Sequence, residues 1–317
     1  MRLRLVRATT YAQGKDASCP GCREPLPRYV HFCPECGLEL KKPQSEGLDD
    51  PEAPPPPGAF RLAHLSDLHL ADTPSGLERL AIFEGWLAAL GRCHVDGLVV
   101  SGELSEIPDL ERFRMAWVLL RDSGLRWVVV PGNHDVEVPG SPGAFEQVFG
   151  AFPRVETWGP LELVLLDSNA GLAVEERGML EGGMGRLKCF TEGRVGQEQL
   201  ARVEPQLGAS GERIRVMVVH HHLSPQHAER LMPLVDDTVL GTMGVLQDAD
   251  AVRCWAVEHK VTLVLHGHKH AMLRTGMLGG EILLLNGGSS TQAPGPRARL
   301  VDFLEGHHRR VVEVELT

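Results

Sequence analysis

The sequence predicts an α/β domain with parallel central strands, preceded by a small cysteine-bearing segment. Three observations lead there. From residue 59 onward, short apolar runs alternate with segments of helical spacing. Five of these runs end in clusters of Asp, Glu, Asn or His. Four of the seven cysteines fall within residues 19–36, as two CxxC pairs.

The elements read in order as follows. Residues 1–42 hold the cysteine cluster, with eight Lys/Arg against four Asp/Glu. Residues 43–58, "PQSEGLDDPEAPPPPG", are Pro-rich and acidic, the composition of a semi-extended linker. Residues 59–317 form the main domain. "FRLAHLS" is a strand, "GLERLAIFEGWLAALGRCH" a helix, "DGLVVS" a buried strand, "DLERFRMAWVLLRDSG" a helix ending at Gly124, and "LRWVVVP" a strand. "LELVLLDS", "IRVMVVHHH" and "VTLVLHGHKH" are further strands, with a helix over roughly 247–259 before the last. After residue 271 four segments separated by Gly-containing turns predict an antiparallel meander.

Composition narrows the function. With 43% hydrophobic and 23% charged residues the chain is globular. A net charge of −10 excludes a uniformly basic nucleic-acid binder. No run approaches 18 apolar residues, so no membrane partner is expected. The opening stretch has no apolar core of a secretory leader. Clustered CxxC pairs with scattered Cys93, Cys189 and Cys254 fit reduced thiols, hence the cytoplasm.

The strand ends carry the chemistry. The clusters are Asp67-Leu-His69, Glu103 in "SGELS", Asn133-His134-Asp135 in "PGNHD", His220-His221-His222, and His266, His268 and His270 in "HGHKH". Parallel strands bring their carboxyl ends, and so these clusters, to one rim. Asp67 and His69 share strand parity and are expected to face one pocket. His222 and His307-His308 are expected as solvated side chains, and "NGGSS", 286–290, as a turn lining the site or approaching a phosphate.

In this order, "SDLHL", "SGELSE", "PGNHD", "VVHHHLS" and "LHGHKH" resemble the calcineurin-like metallophosphoesterase superfamily, with its D-x-H, G-D, G-N-H-[DE], H and G-H-x-H pattern, over roughly residues 60–317. The resemblance implies a two-sheet β-sandwich flanked by helices, four layers in all, with two metals at one edge. It implies that Asp67, His69 and His270 hold one metal and Asn133, His220 and His268 the other, with Glu103 between them. His221 stays open as an alternative to His220. His134 would act on the leaving alkoxide, oriented by Asp135. Such a mixed donor set suits divalent Mn, Fe, Zn or Ni, and two cations neutralise a phosphodiester that otherwise repels a hydroxide nucleophile.

Cys19, Cys22, Cys33 and Cys36 resemble a short zinc ribbon. Two thiolate knuckles make a tetrahedral site, and about 40 residues bury too little core to fold without such a metal. Redox-active thiols are the weaker reading, since no βαβ pattern surrounds them. The ribbon's partner would be nucleic acid or protein; a structural cap or a contact between copies is an equal alternative.

The reading is thus a phosphoric ester hydrolase acting on a diester or monoester, with a small or cyclic-nucleotide phosphodiester first among substrates. A DNA or RNA nuclease using the ribbon is the enzymatic rival. A non-catalytic regulatory module is the other, because Glu103 stands where the family carries Asp. Glu is longer by about 1.5 Å, against metal–oxygen distances near 2.0–2.2 Å for zinc. Glu103→Asp is expected to change metal affinity, measured by titrating the metal-free chain; equal affinity and turnover in both would remove Glu103 from the metal site.

Overall fold

In a computed structural model of the chain, residues 1–11, 50–170, 193–209, 213–223, 244–277, 282–292, 295–304 and 309–317 are described. The four clustered cysteines and the His307-His308 pair, with the ribbon and solvation expected of them, lie outside these residues.

Among the described residues the strands form two six-stranded sheets. The first comprises β1 (Leu3–Tyr11), β2 (Phe60–Leu65), β3 (Gly97–Val100), β4 (Trp127–Val129), β11 (Arg297–Phe303) and β12 (Arg309–Leu316). Its order is β1-β12-β11-β2-β3-β4, with β2, β3 and β4 parallel. The second comprises β5 (Arg154–Trp158), β6 (Leu161–Leu165), β7 (Ile214–Val218), β8 (Val261–His266), β9 (Arg274–Met277) and β10 (Ile282–Asn286). Its order is β5-β6-β7-β8-β10-β9, with β6, β7, β8 and β10 parallel.

Helices fill the crossovers. α1 (Pro74–Leu90) starts where the Thr73 side chain accepts from Gly76 N–H and Pro74 needs no partner. α2 (Leu110–Asp122) starts at Asp109, whose carboxylate accepts from Arg112 N–H. The short α3 (Asn133–Val136) and α4 (Ser141–Phe149) follow β4, and α5 (Gln197–Val203) and α6 (Ala249–Glu258) precede β7 and β8. None of the described helices is long and apolar enough to cross a membrane.

Strand alternation makes the layers. In β6, Leu161, Leu163 and Leu165 join the large core, whereas Val164 faces a second one. β7 divides likewise, with Val216 and Val218 in the first and Met217 in the second. The second core is closed by Leu200 and Val203 of α5 and by Val252, Trp255 and Ala256 of α6. The large core runs on to Phe83, Trp86 and Leu90 of α1 and Phe113 and Leu120 of α2. The result is mixed α/β, with two sheets between helices.

Three expectations change. Residues 3–11, assigned to the cysteine-bearing segment, instead form β1 and pair antiparallel with β12 from Leu3↔Leu316 to Tyr11↔Arg309. The partner is some 300 residues away, beyond the reach of local pattern. The meander after residue 271 is split. β9 and β10 belong to the second sheet and β11 and β12 to the first, because β10 pairs parallel with β8 while β11 pairs with β2. Finally, the structure adds β5, whose sequence, RVETW, buries only its last residue and so carries no apolar run to mark it.

The start of β2 is anchored by a buried ion pair. Arg61 and Asp302 are 2% and 0% exposed, with Nε to Oδ1 at 2.6 Å and Nη2 to Oδ2 at 3.1 Å. Arg61 Nη1 also donates to the carbonyls of Ala53 and Cys93, which ties the Pro-rich segment to the domain. Removing one partner strands a buried charge, at a cost of about 3–5 kcal/mol. Asp302→Ala is expected to lower the urea-unfolding free energy by about that much, whereas a loss under about 1 kcal/mol would mean that the pair behaves as a solvent-exposed one.

Candidate metal centre

The donors do not sit on the strands. β2 ends at Leu65, and Asp67 (φ 53°) and His69 (φ 48°) follow it in left-handed backbone. Strand parity is therefore not what brings them together. Glu103 (φ 52°), His268 (φ 74°) and His270 (φ 48°) share that conformation. Each left-handed non-glycine residue costs about 1–2 kcal/mol, so these turns need support from their surroundings.

Much of that support is main-chain pairing between loops. Asp67 N–H donates to Gly102 O, His69 N–H to Glu103 O, and Leu70 N–H to Leu104 O. The turn after β10 braces the same loop: Ser289 Oγ donates to Asp67 O at 2.9 Å and Thr291 Oγ1 to Leu68 O at 2.6 Å. The hydroxyls of "NGGSS" and its neighbour thus meet backbone. Two glycines permit the close approach. A Cβ on Gly102 (φ 101°) would collide with the His220 ring, and one on Gly132 with the backbone of Glu103.

The side chains converge on Glu103, which is 2% exposed. Its Oε2 lies 2.8 Å from His69 Nε2 and 3.0 Å from His270 Nε2. His270 Nε2 is also 3.4 Å from Asp67 Oδ1. Its Oε1 faces the other way, 3.3 Å from His220 Nε2 and 3.8 Å from His268 Nδ1. Asn133 Oδ1 completes that side, 3.1 Å from His220 Nε2 and 3.0 Å from His268 Nδ1. Two groups with metal-ligating donors result: Asp67, His69, Glu103 and His270, and Glu103, His220 and His268.

The donors fit divalent cations. Ligand atoms around a tetrahedral zinc at about 2.0–2.2 Å would lie roughly 3.3–3.6 Å apart, and the separations here are of that order. Asp67 Oδ2 is buried without a hydrogen-bond partner, an atom that a cation would satisfy. His220 Nδ1–H donates to Ser101 O at 2.8 Å, which turns Nε2 to the site.

Electrostatics show how much charge is gathered. Burial works against the Glu103 carboxylate, yet His220, His268 and His270 hold its pKa well below the usual range. Burial also opposes protonation of His69 and His270, but Glu103, Glu106 and Asp67 raise the first to about 9, and Asp67 and Glu103 raise the second to about 10. His268 is lowered, with burial the largest cause.

His220 rather than His221 enters the site. His221 is fully buried, with Nδ1 2.7 Å from Ser168 Oγ. His222 was expected in solvent; it is fully buried, Nδ1 to Nδ1 2.9 Å from His266. His134 stands at the rim, its side chain 31% exposed and Nε2 4.0 Å from Glu103 Oε1. Asp135 does not contact the His134 ring as expected. Its two oxygens accept backbone N–H groups of Leu104 (3.1 Å), Ser105 (3.0 Å) and Gly132 (2.9 Å), tying the Glu103 loop to the Asn133 turn. The carboxylate beside His134 Nδ1 is Glu137, at 3.7 Å. Glu106 and Arg79, next to His69, were also missed. Glu106 falls within the quoted "SGELSE" and was visible there as a second acid near Glu103; Arg79 carries no local signal.

The family profile described as calcineurin-like phosphoesterase matches residues 60–272. A probable cyclic nucleotide phosphodiesterase of Vesicomyosocius okutanii subsp. Calyptogena okutanii (strain HA) is 20% identical over 227 residues, 71% of this chain and 84% of that protein. One solved chain superposes with a TM-score of 0.51 at 12% identity over 82% of this chain and 100% of its own, a likeness of fold. A dimetal phosphatase from Danio rerio is similar at a TM-score of 0.49 and 14% identity, over 81% of this chain and 99% of that one.

Asp135→Asn would set an amide NH2 against backbone donors. The expected loss is about 1–3 kcal/mol in the unfolding free energy of the metal-free chain; an unchanged midpoint in urea would show that the three N–H bonds contribute nothing net.

Proposed function

Because the chain belongs to the calcineurin-like phosphoesterase family, we propose that it is a dinuclear metal-dependent hydrolase of phosphodiester or monoester bonds, with a small-molecule or cyclic-nucleotide diester first among its substrates. The observation that carries this is the division of Glu103 between two donor groups, Oε2 toward His69 and His270 and Oε1 toward His220. In this reading Asp67, His69 and His270 would hold one divalent ion and Asn133, His220 and His268 the other, with Glu103 offering one oxygen to each side. Mn, Fe, Zn or Ni suit the set. When bound, the ions neutralise the phosphate ester's charge and polarise its phosphorus.

The chain's own residues do the rest. His134, at the rim and above its ordinary pKa despite burial because of Glu137 and Glu103, holds a proton for the departing alkoxide. Asp135 fixes the loop that carries Glu103. The diester preference draws on the name of the 20%-identical relative. Cys19, Cys22, Cys33 and Cys36 belong to the proposal as a structural zinc site contacting nucleic acid or protein, and their pattern supports a cytoplasmic setting.

Metal analysis of the purified full chain should find three ions, two in the centre and one with the cysteines. Bis-p-nitrophenyl phosphate should be hydrolysed with added Mn. His134→Ala should lower kcat by about 10²–10⁴-fold with the metals retained. Loss of the ions from that variant would overturn the role given to His134, and a wild-type chain inactive on both diester and monoester probes would overturn the function.

A further inference from the structure

We infer that Arg79, on the first turns of α1, is a positioning residue for His69 and thereby sets the affinity of one of the two metal positions. The inference rests on the dinuclear reading above. One guanidinium nitrogen meets both the backbone and the neighbour of this single donor. Arg79 Nη1 donates to His69 O at 3.0 Å and to Glu106 Oε2 at 3.0 Å. Glu106 Oε2 in turn stands 3.0 Å from His69 Nδ1, on the ring edge opposite the Nε2 that faces Glu103. This last contact is oblique, because Nδ1 finds no in-line acceptor; it holds charge against the ring rather than forming an aligned hydrogen bond.

The arrangement answers a specific need. His69 lies beyond the end of β2, at φ 48°, so no strand ladder supplies a donor to its carbonyl and another is needed. Its N–H is already bound to Glu103 O. Arg79 supplies the missing partner from a rigid helix and keeps Glu106 where it can favour a fixed ring orientation. Partners behind a metal-binding imidazole typically change metal affinity by about 10–100-fold when removed. His220 and His268 make none of these contacts, so the effect is confined to the Asp67, His69 and His270 side.

The test uses the full chain, stripped of metal and titrated with Mn²⁺ under electron paramagnetic resonance. Wild type should fill both positions and give a spin-coupled spectrum. Arg79→Met keeps the aliphatic stem, and the side chain is 23% exposed, so the fold should hold. This variant should bind one Mn²⁺ with unchanged affinity and the other about 10–100-fold more weakly. Arg79→Lys, which retains charge and a donor, should recover part of the loss. Wild-type affinity at both positions in Arg79→Met, or equal weakening of both, would overturn the inference and leave the dinuclear function standing. A wild-type chain that binds no Mn²⁺ would overturn both.

Discussion

Glu103 is an anion 2% exposed to solvent, with imidazole nitrogens within 2.8–3.8 Å of its two oxygens. A carboxylate in so dry a place is tolerated only with opposite charge close by. The loops around it are shaped to provide that. Gly102 and Gly132 let backbone pass against it, Asp135 ties its loop to the Asn133 turn, and His220 is steered toward it by Ser101 O. Its two oxygens then divide the surrounding donors into two sets, which is the geometric requirement for a pair of cations sharing a ligand.

The backbone carries a cost for this convergence. Of seven described non-glycine residues with positive φ, five are Asp67, His69, Glu103, His268 and His270. At about 1–2 kcal/mol each, their strain is comparable to the whole net stability of a domain, about 5–15 kcal/mol. It is offset by loop-to-loop hydrogen bonds, by the Ser289 and Thr291 hydroxyls, and by the two large cores beneath the rim. Strain concentrated at a site in this way accords with a site held ready for a ligand.

The sequence made the parallel strands and their polar ends legible, because buried strands read as continuous apolar runs and the donor clusters interrupt them. It also marked Asp67, His69, Glu103, Asn133, His220, His268 and His270, which the fold brings together. What stayed hidden depends on three-dimensional neighbours. The pairing of β1 with β12 joins the two chain ends, and a split of β9–β12 between sheets cannot be told from a meander by turn signals. Strand parity was the wrong cause for the meeting of Asp67 and His69, since positive φ in a non-glycine residue leaves no mark in composition. Asp135, Glu137, Glu106 and Arg79 act through backbone groups and ring edges that only the folded loops define.

The most direct measurement is anomalous X-ray diffraction from crystals of the full chain grown with Mn²⁺. A dinuclear centre predicts two manganese peaks about 3.5–4 Å apart, on either side of the Glu103 carboxylate. A single peak, or two peaks neither of which has Glu103 among its ligands, would contradict it.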